Sequence, residues 1–280
     1  MKRRQFIKNT VYTSLGFGLL SGMYAWKVEP FWLEFVKLKM DIPNLPENLI
    51  GKTLIQISDI HIGKQVDKDY LIDAFKKAQE LNPDFVVYTG DFVSYENEDQ
   101  IDQLEEVFNN VVKGKFGTVG VLGNHDYGDN WAQRDVANAI TTCLENSGVE
   151  ILSNKSKNIN GLTITGLDDF WGLNFNPKPI LQSINTSKAN LVLCHNPDVC
   201  DLDVWNGYNS WILSGHTHGG QCKPPFLRPP ILPVQNTKYS SGKIDLSSNR
   251  TLYINRALGH LFQVRFNVRP EITVFTLERE

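Results

Sequence analysis

Cysteine is scarce and poorly spaced for redox or structural-metal work: Cys143, Cys194, Cys200 and Cys222 form no CxxC pair and no zinc-finger spacing. They read as isolated buried thiols, with a Cys194–Cys200 bridge left open for an exported chain. A large surplus of either charge is lacking too. The formal net charge is −3, so no global basic field draws the chain to nucleic acid or anionic lipid. No internal repeat is visible, and no second domain. What remains, 280 residues with 41% hydrophobic and 21% charged side chains, suits a globular chain able to bury a large core.

Residues 1–28 form one segment and 29–280 the other. Lys2, Arg3, Arg4 and Lys8 precede an uncharged stretch from Asn9 to Trp26, the layout of a secretory signal or membrane anchor. Arg3, Arg4, Phe6 and Ile7 resemble the twin-arginine export motif, which implies the twin-arginine export machinery as a partner. A plain basic leader is the alternative. The apolar run is near the lower limit for spanning a bilayer, and no A-x-A cleavage site follows it. An uncleaved anchor is expected, with the chain at the cell membrane, on its extracytoplasmic face or exported.

From Glu34 to Met40, apolar and lysine side chains alternate as in a half-buried edge strand. Apolar runs at Leu54–Ile57, Phe85–Tyr88, Val119–Leu122, Leu162–Thr165, Leu191–Cys194 and Trp211–Leu213 read as buried strands. Helical faces lie between them: Leu71, Ile72, Phe75 and Ala78; Ile101, Leu104, Phe108 and Val111; Val136, Ala139, Ile140 and Cys143. Thr251–Asn255 and Ile272–Leu277 close the chain as strands. The alternation predicts an α/β layered domain. Gln221 to Val234, with five prolines, predicts a loop or flap.

Five of the strands end in oxygen or imidazole ligands. Asp59 and His61 follow the first, Asp91 the second, Asn124, His125 and Asp126 the third, His195 the fourth, and His216 and His218 the fifth. Ligands in open α/β sheets gather at the carboxyl ends of strands. Asp59 and His61, like His216 and His218, stand two apart, so an extended segment would turn both to one side. Gly90, Gly123, Gly215, Gly219 and Gly220 would allow tight turns and leave room for a phosphate. Carboxylate and imidazole without thiolate suit manganese, iron or zinc. Asp91, between the two ligand groups, can bridge two cations roughly 3.5–4 Å apart.

These blocks, D-x-H, G-D, G-N-H-D, a lone H and G-H-x-H, resemble the calcineurin-like metallophosphoesterase superfamily over about Thr53 to Gly220. The leader, the Gly215–Gln221 stretch and the Arg265–Leu277 close resemble its YkuE/YaeI-like bacterial branch. The resemblance implies a β-sandwich flanked by helices. It puts Asp59, His61, Asp91 and His218 on one divalent metal ion, and Asp91, Asn124, His195 and His216 on a second. His125 would face the phosphate as a catalytic residue. Phe92-Val93-Ser94-Tyr95 after Asp91 departs from the phosphoprotein phosphatase pattern, which argues against that activity.

The implied reaction is hydrolysis of a phosphodiester or pyrophosphate by a metal-bound hydroxide, with His125 contacting or protonating the leaving oxygen. Some members of the superfamily cleave UDP-2,3-diacylglucosamine. Trp171, Phe175, Phe226, Leu227 and Tyr239 are candidates for an apolar wall facing a lipid-linked substrate. A nuclease is the rival reading; the Lys and Arg residues look dispersed, so nucleic acid is not the expected partner.

Overall fold

The computed structural model describes residues 3–280, so Met1 and Lys2 of the basic leader lie outside it. In chain order come α1 (Arg3–Lys27), β1 (Glu34–Ile42), β2 (Thr53–Ile57), α2 (Lys68–Glu80), β3 (Phe85–Thr89), α3 (Asp99–Phe108), β4 (Gly117–Val121) and α4 (Arg134–Asn146). Then follow β5 (Glu150–Ile151), β6 (Lys155–Ile159), β7 (Leu162–Gly166), α5 (Pro177–Gln182), β8 (Ala189–Leu193), β9 (Trp211–Ser214), β10 (Gly242–Asp245), β11 (Thr251–Ile254) and β12 (Glu271–Arg279).

Two six-stranded sheets face each other, ordered β1-β12-β2-β3-β4-β5 and β10-β11-β9-β8-β7-β6. Strands β2 to β5 run parallel in the first; β7, β8, β9 and β11 run parallel in the second. Such strands are covered on both faces, which is why their sequences are nearly continuous in Val, Leu and Ile. Alternation along β2 shows it: Leu54 enters the core between the sheets, while Ile55 and Ile57 meet the helices outside. The layered α/β expectation holds, as a sandwich with helices on its outer faces.

The inter-sheet core joins Leu54, Phe85, Val119 and Val121 to Leu162, Leu191, Leu193 and Leu213. Each such side chain contributes roughly 1.5–3 kcal/mol by leaving water. At the ligand-bearing end this apolar packing stops, and Gln56 Nε2 donates to Ser214 O of the opposite sheet at 3.0 Å.

Helix α2 begins where Asp67 accepts from Tyr70 N at 2.9 Å, and it buries Leu71, Ala74, Phe75 and Ala78. Two predicted helical faces are rotated. In α4 the buried residues are Val136, Ala137, Ile140 and Leu144, with Ala139 and Cys143 half-buried. In α3 they include Leu104, Val107 and Phe108, and Val111 falls past its end. The predicted strands all form. The sequence reading passed over β5, β6 and β10, which are short or polar. The β6–β7 hairpin turns on Asn160 and Gly161, both with positive φ (54° and 98°), the Asn-Gly pair that a type I′ turn selects.

Segment 221–234 is indeed without helix or regular strand. All four cysteines are free thiols, so the Cys194–Cys200 bridge is not formed. Helix α1 exposes most of its length, Phe6, Leu15, Phe17, Leu19 and Leu20 included. Among the described residues, no helix is long and apolar enough to cross a membrane.

Candidate metal centre

All eight predicted site residues meet at one end of the sandwich. Asp59, His61, Asp91 and His218 bring ligand atoms within 4.8 Å of one another, and Asp91, His195 and His216 form a second group sharing Asp91. All six of these side chains are buried. His61 Nε2 and His218 Nε2 are 3.0 Å apart, and His195 Nε2 is 3.0 Å from Asp91 Oδ2. His218 Nε2 lies 3.2 Å from Asp59 Oδ1.

The expected extended backbone is not how the pairs converge. Asp59, His61, Asp91, His216 and His218 all have positive φ, between 50° and 71°. Each such non-glycine residue costs roughly 1–3 kcal/mol, tolerated where surrounding bonds over-determine it. Here Asp59 N donates to Gly90 O, His61 N to Asp91 O, and His216 N to Asp59 Oδ1 at 2.9 Å. The glycines also act differently from the phosphate-cradle expectation. A Cβ on Gly123 would stand 2.2 Å from Asp91 Oδ1, and one on Gly215 2.1 Å from Asp59 Oδ2. These two positions are empty so that the carboxylates can occupy the space.

The outer nitrogen of each clustered imidazole has its own neighbour. His195 Nδ1 donates to Thr89 O at 2.7 Å, His216 Nε2 to Pro233 O at 2.9 Å, and His218 Nδ1 to Gln221 Oε1 at 3.2 Å. His61 Nδ1 is 3.0 Å from Ser94 Oγ. A carbonyl oxygen only accepts, so each of these rings donates outwards, and the inner nitrogens of His195 and His216 face each other 3.2 Å apart. Two imidazole nitrogens that close need a positive charge between them, a proton in the metal-free site or a metal ion in its place. Such outer partners are how metal-binding imidazoles are oriented. Asn124 Oδ1 is also buried and has no hydrogen-bond partner. The donor set therefore fits divalent cations.

Burial opposes charge on His195, but Asp91 and Asp59 outweigh it and hold its imidazole well above the usual range, so the site favours positive charge there. Burial opposes ionisation of Asp59, but His195 and His218 outweigh it and hold the carboxyl at about 2. Asp91 is likewise held well below the usual range against its burial, by His195 and His125. Burial, then the neighbouring His195, keeps His216 neutral down to about 3.

His125 belongs to neither group. It is half-buried, its N–H donates to Asp91 Oδ1 at 2.9 Å, and its ring stands 5.1 Å from that of His61. Asp126 does not orient it. The Asn124–Tyr127 stretch is a 3-10 turn, not a strand, and Asp126 points inwards to accept from Phe92 N, Val93 N and Gly123 N. It ties the second and third ligand loops together. Burial and the nearby Asp91 push its carboxyl up to about 8.

Of the expected apolar wall only Trp171 reaches the site, its ring edge-on to His216 with centroids 4.5 Å apart. Phe175 packs on Phe170, Tyr239 is buried with its hydroxyl on Asp201, and Phe226 and Leu227 project into solvent. Trp131, missed in the sequence, stacks on Trp171 at 4.8 Å. Asp169 was missed too. It is buried, holds Trp171 N through Oδ2 at 2.7 Å, and leaves Oδ1 unpartnered. It follows β7, so the strand-end rule that found the other ligands could have found it. Ser94 carried no signal, because only folding brings it beside His61, whereas Gln221 stands three residues after His218 in one local turn.

The calcineurin-like phosphoesterase family profile matches residues 52–220. The chain belongs to that family. It is 28% identical over 287 residues to the phosphodiesterase YaeI of Escherichia coli, covering 99% of both chains. It is 30% identical to the metallophosphoesterase YkuE of Bacillus subtilis, covering 99% of this chain and 98% of that one. It is 26% identical to the UDP-2,3-diacylglucosamine pyrophosphatase LpxG of Chlamydia trachomatis, covering 95% of each. As a calcineurin-like phosphoesterase the chain is a metal-dependent phosphoric ester hydrolase, and its Asp/His cluster fits a dinuclear centre.

Proposed function

We propose that this hydrolase cleaves phosphodiester or pyrophosphate bonds in a membrane-associated substrate. Asp59, His61, Asp91 and His218 hold one divalent ion, and Asp91, Asn124, His195 and His216 the other. Manganese, iron and zinc all suit the donors. Two such ions neutralise phosphoryl charge and lower the pKa of water from roughly 15.7 towards 7.

The chain's own residues do the rest. Asp91 is common to both groups and also accepts from His125 N, so it sets the distance between the ligand sets and His125. Asn124 supplies a neutral oxygen, which leaves the centre more cationic than a third carboxylate would. His125, at the edge of the cluster, holds the proton that the leaving oxygen takes, a role worth roughly 10²–10⁴ in rate. A monoester carries an extra charge, and the family position for a phosphate-gripping Arg after Asp91 is not Arg here. Diesters are therefore favoured.

The sharing of Asp91 between two ligand groups is the observation that carries this reading. Its test is turnover of metal-loaded protein on bis-p-nitrophenyl phosphate, p-nitrophenyl phosphate and a nucleotide-sugar lipid. The diester is expected to outrun the monoester, and the reverse order would refute the diester preference. A second reading, a pyrophosphatase of UDP-2,3-diacylglucosamine type, is favoured by the likeness to LpxG. Single-stranded DNA cleaved fastest would point to a nuclease instead.

Residues 1–28 act as a twin-arginine leader and anchor ahead of the hydrolase at 29–280, putting the enzyme on the extracytoplasmic face of a bacterial membrane. The exposed apolar side chains of α1 support this. Replacing Arg3 and Arg4 by Lys should leave the folded enzyme in the cytoplasm; unchanged export would favour an ordinary leader.

A further inference from the structure

The proline-rich segment 221–234 is attached to the metal centre at both ends. Gln221 Oε1 accepts from His218 Nδ1, and Pro233 O accepts from His216 Nε2. Between them the tip is bare: Phe226 is 104% exposed, Ile231 78% and Leu227 63%. Large apolar side chains grouped in this way mark a surface for a partner.

The flanking charges say which partner. Between Val204 and Pro270 the only acidic residue is Asp245, against eight bases, in a chain of net charge −3. Two of the bases, Lys223 and Arg228, lie on the flap itself, exposed and without an ion pair among the described residues. Acidic residues are therefore scarce in this stretch, and these two bases on the flap stay unneutralised. Exposed aromatic and aliphatic groups beside unpaired bases match an anionic lipid interface. Pro224, Pro225, Pro229, Pro230 and Pro233 have no N–H, so the flap carries few backbone donors to strip of water on entering lipid.

The flap is also continuous with α1. Lys223 N donates to Phe266 O, and Phe266 N to Gln221 O. One turn of chain away, Arg265 N donates to Ala25 O and Gln263 Nε2 to Trp26 O. Exposed Phe262 and Val264 lie on that same connecting strip.

We propose that the flap tip, Phe226 to Ile231, is a second lipid-docking element. With α1 it would seat the protein on an anionic bilayer with the metal centre facing the interface. This rests on the membrane-substrate reading above.

Leu227→Trp in the full chain, mixed with vesicles of brominated phosphatidylcholine with and without phosphatidylglycerol, tests it. The added tryptophan should be quenched beyond the native signal, and more strongly when phosphatidylglycerol is present. Lys223→Gln/Arg228→Gln should weaken binding to the anionic vesicles by tenfold or more. An unquenched tip on vesicle-bound protein would assign docking to α1 alone and overturn the proposal. Equal quenching with and without phosphatidylglycerol would overturn its anionic part. Quenching requires no turnover, so a docked but inactive protein would sink the functional reading and leave this one standing.

Discussion

Each sheet has six mostly parallel strands, the first with one antiparallel pair inside it and the second with one at each edge, yet the two load the rim differently. Strands β2, β3 and β4 of the first deliver Asp59, Asp91 and Asn124 with a single clustered imidazole, His61. Strands β8 and β9 of the second deliver His195, His216 and His218. One side supplies mostly carboxylate and amide oxygen, the other imidazole nitrogen. The sheets thus meet twice, through apolar packing in the middle and through a shared ligand set at the end where that packing stops. The strained backbone lies at the second meeting place.

Asp91→Asn strikes the one residue common to both ligand groups and is the largest expected effect. Turnover should be abolished, and metal analysis should show both ions weakened, since the amide has half the coordinating oxygens and no charge. Two tightly bound ions with normal turnover would remove the bridging role.

His125→Gln separates ligands from chemistry. All seven proposed ligands remain, so metal content should be unchanged while kcat falls about 10²-fold or more. The loss should shrink for a p-nitrophenolate leaving group, which needs little protonation. An equal loss for poor and good leaving groups would take the proton role from His125.

The outer partners permit a matched test of the two sheets. Ser94→Ala removes the neighbour of His61 on the first side, and Gln221→Ala the acceptor of His218 on the second. Each should weaken metal affinity by roughly 10–100-fold. Isothermal titration after chelation would show whether the sheets contribute alike, and no change in either variant would mean these contacts do not orient the ligands.

Acid sensitivity should come from buried imidazoles held neutral on both sides of the rim, His61 after the first sheet's β2 and His216 after the second's β9 among them. Burial holds His260 neutral down to about 4, while the unfolded chain protonates near 6.5. Its folded pKa is depressed, so its stability is full above about 6.5 and is lost as pH falls towards 4, a contribution of about 3 kcal/mol. His216, held at about 3, acts in the same direction. Urea midpoints of metal-free protein at pH 7 and pH 4.5 should differ, and His260→Gln should narrow the gap by about 2–3 kcal/mol. An unchanged gap would show that His260 is not the group being charged.

Strand and ligand identity were legible before folding because both are local properties. A buried parallel strand needs an apolar run, and a ligand needs the right atom at its end; β2, β3, β4, β8 and β9 meet both conditions in consecutive residues. Asp169, just past the end of β7, obeys the same rule. Other features arise only when distant segments are brought together. The left-handed turns at Asp59, Asp91 and His216 are held by bonds from other loops; Asp and His enter that region more readily than most residues, but the preference is too weak to announce the turns. Asp126 turns inwards because Phe92 and Val93 present unpaired N–H groups 33 and 34 residues away. Trp131 meets Trp171 across separate loops, and Pro233 becomes the partner of His216 only because the flap returns to the rim. The sequence by itself determined which atoms could bind and in which strands they begin. Tertiary structure decided which way those atoms face, because orientation is set by hydrogen bonds between segments that periodicity cannot pair.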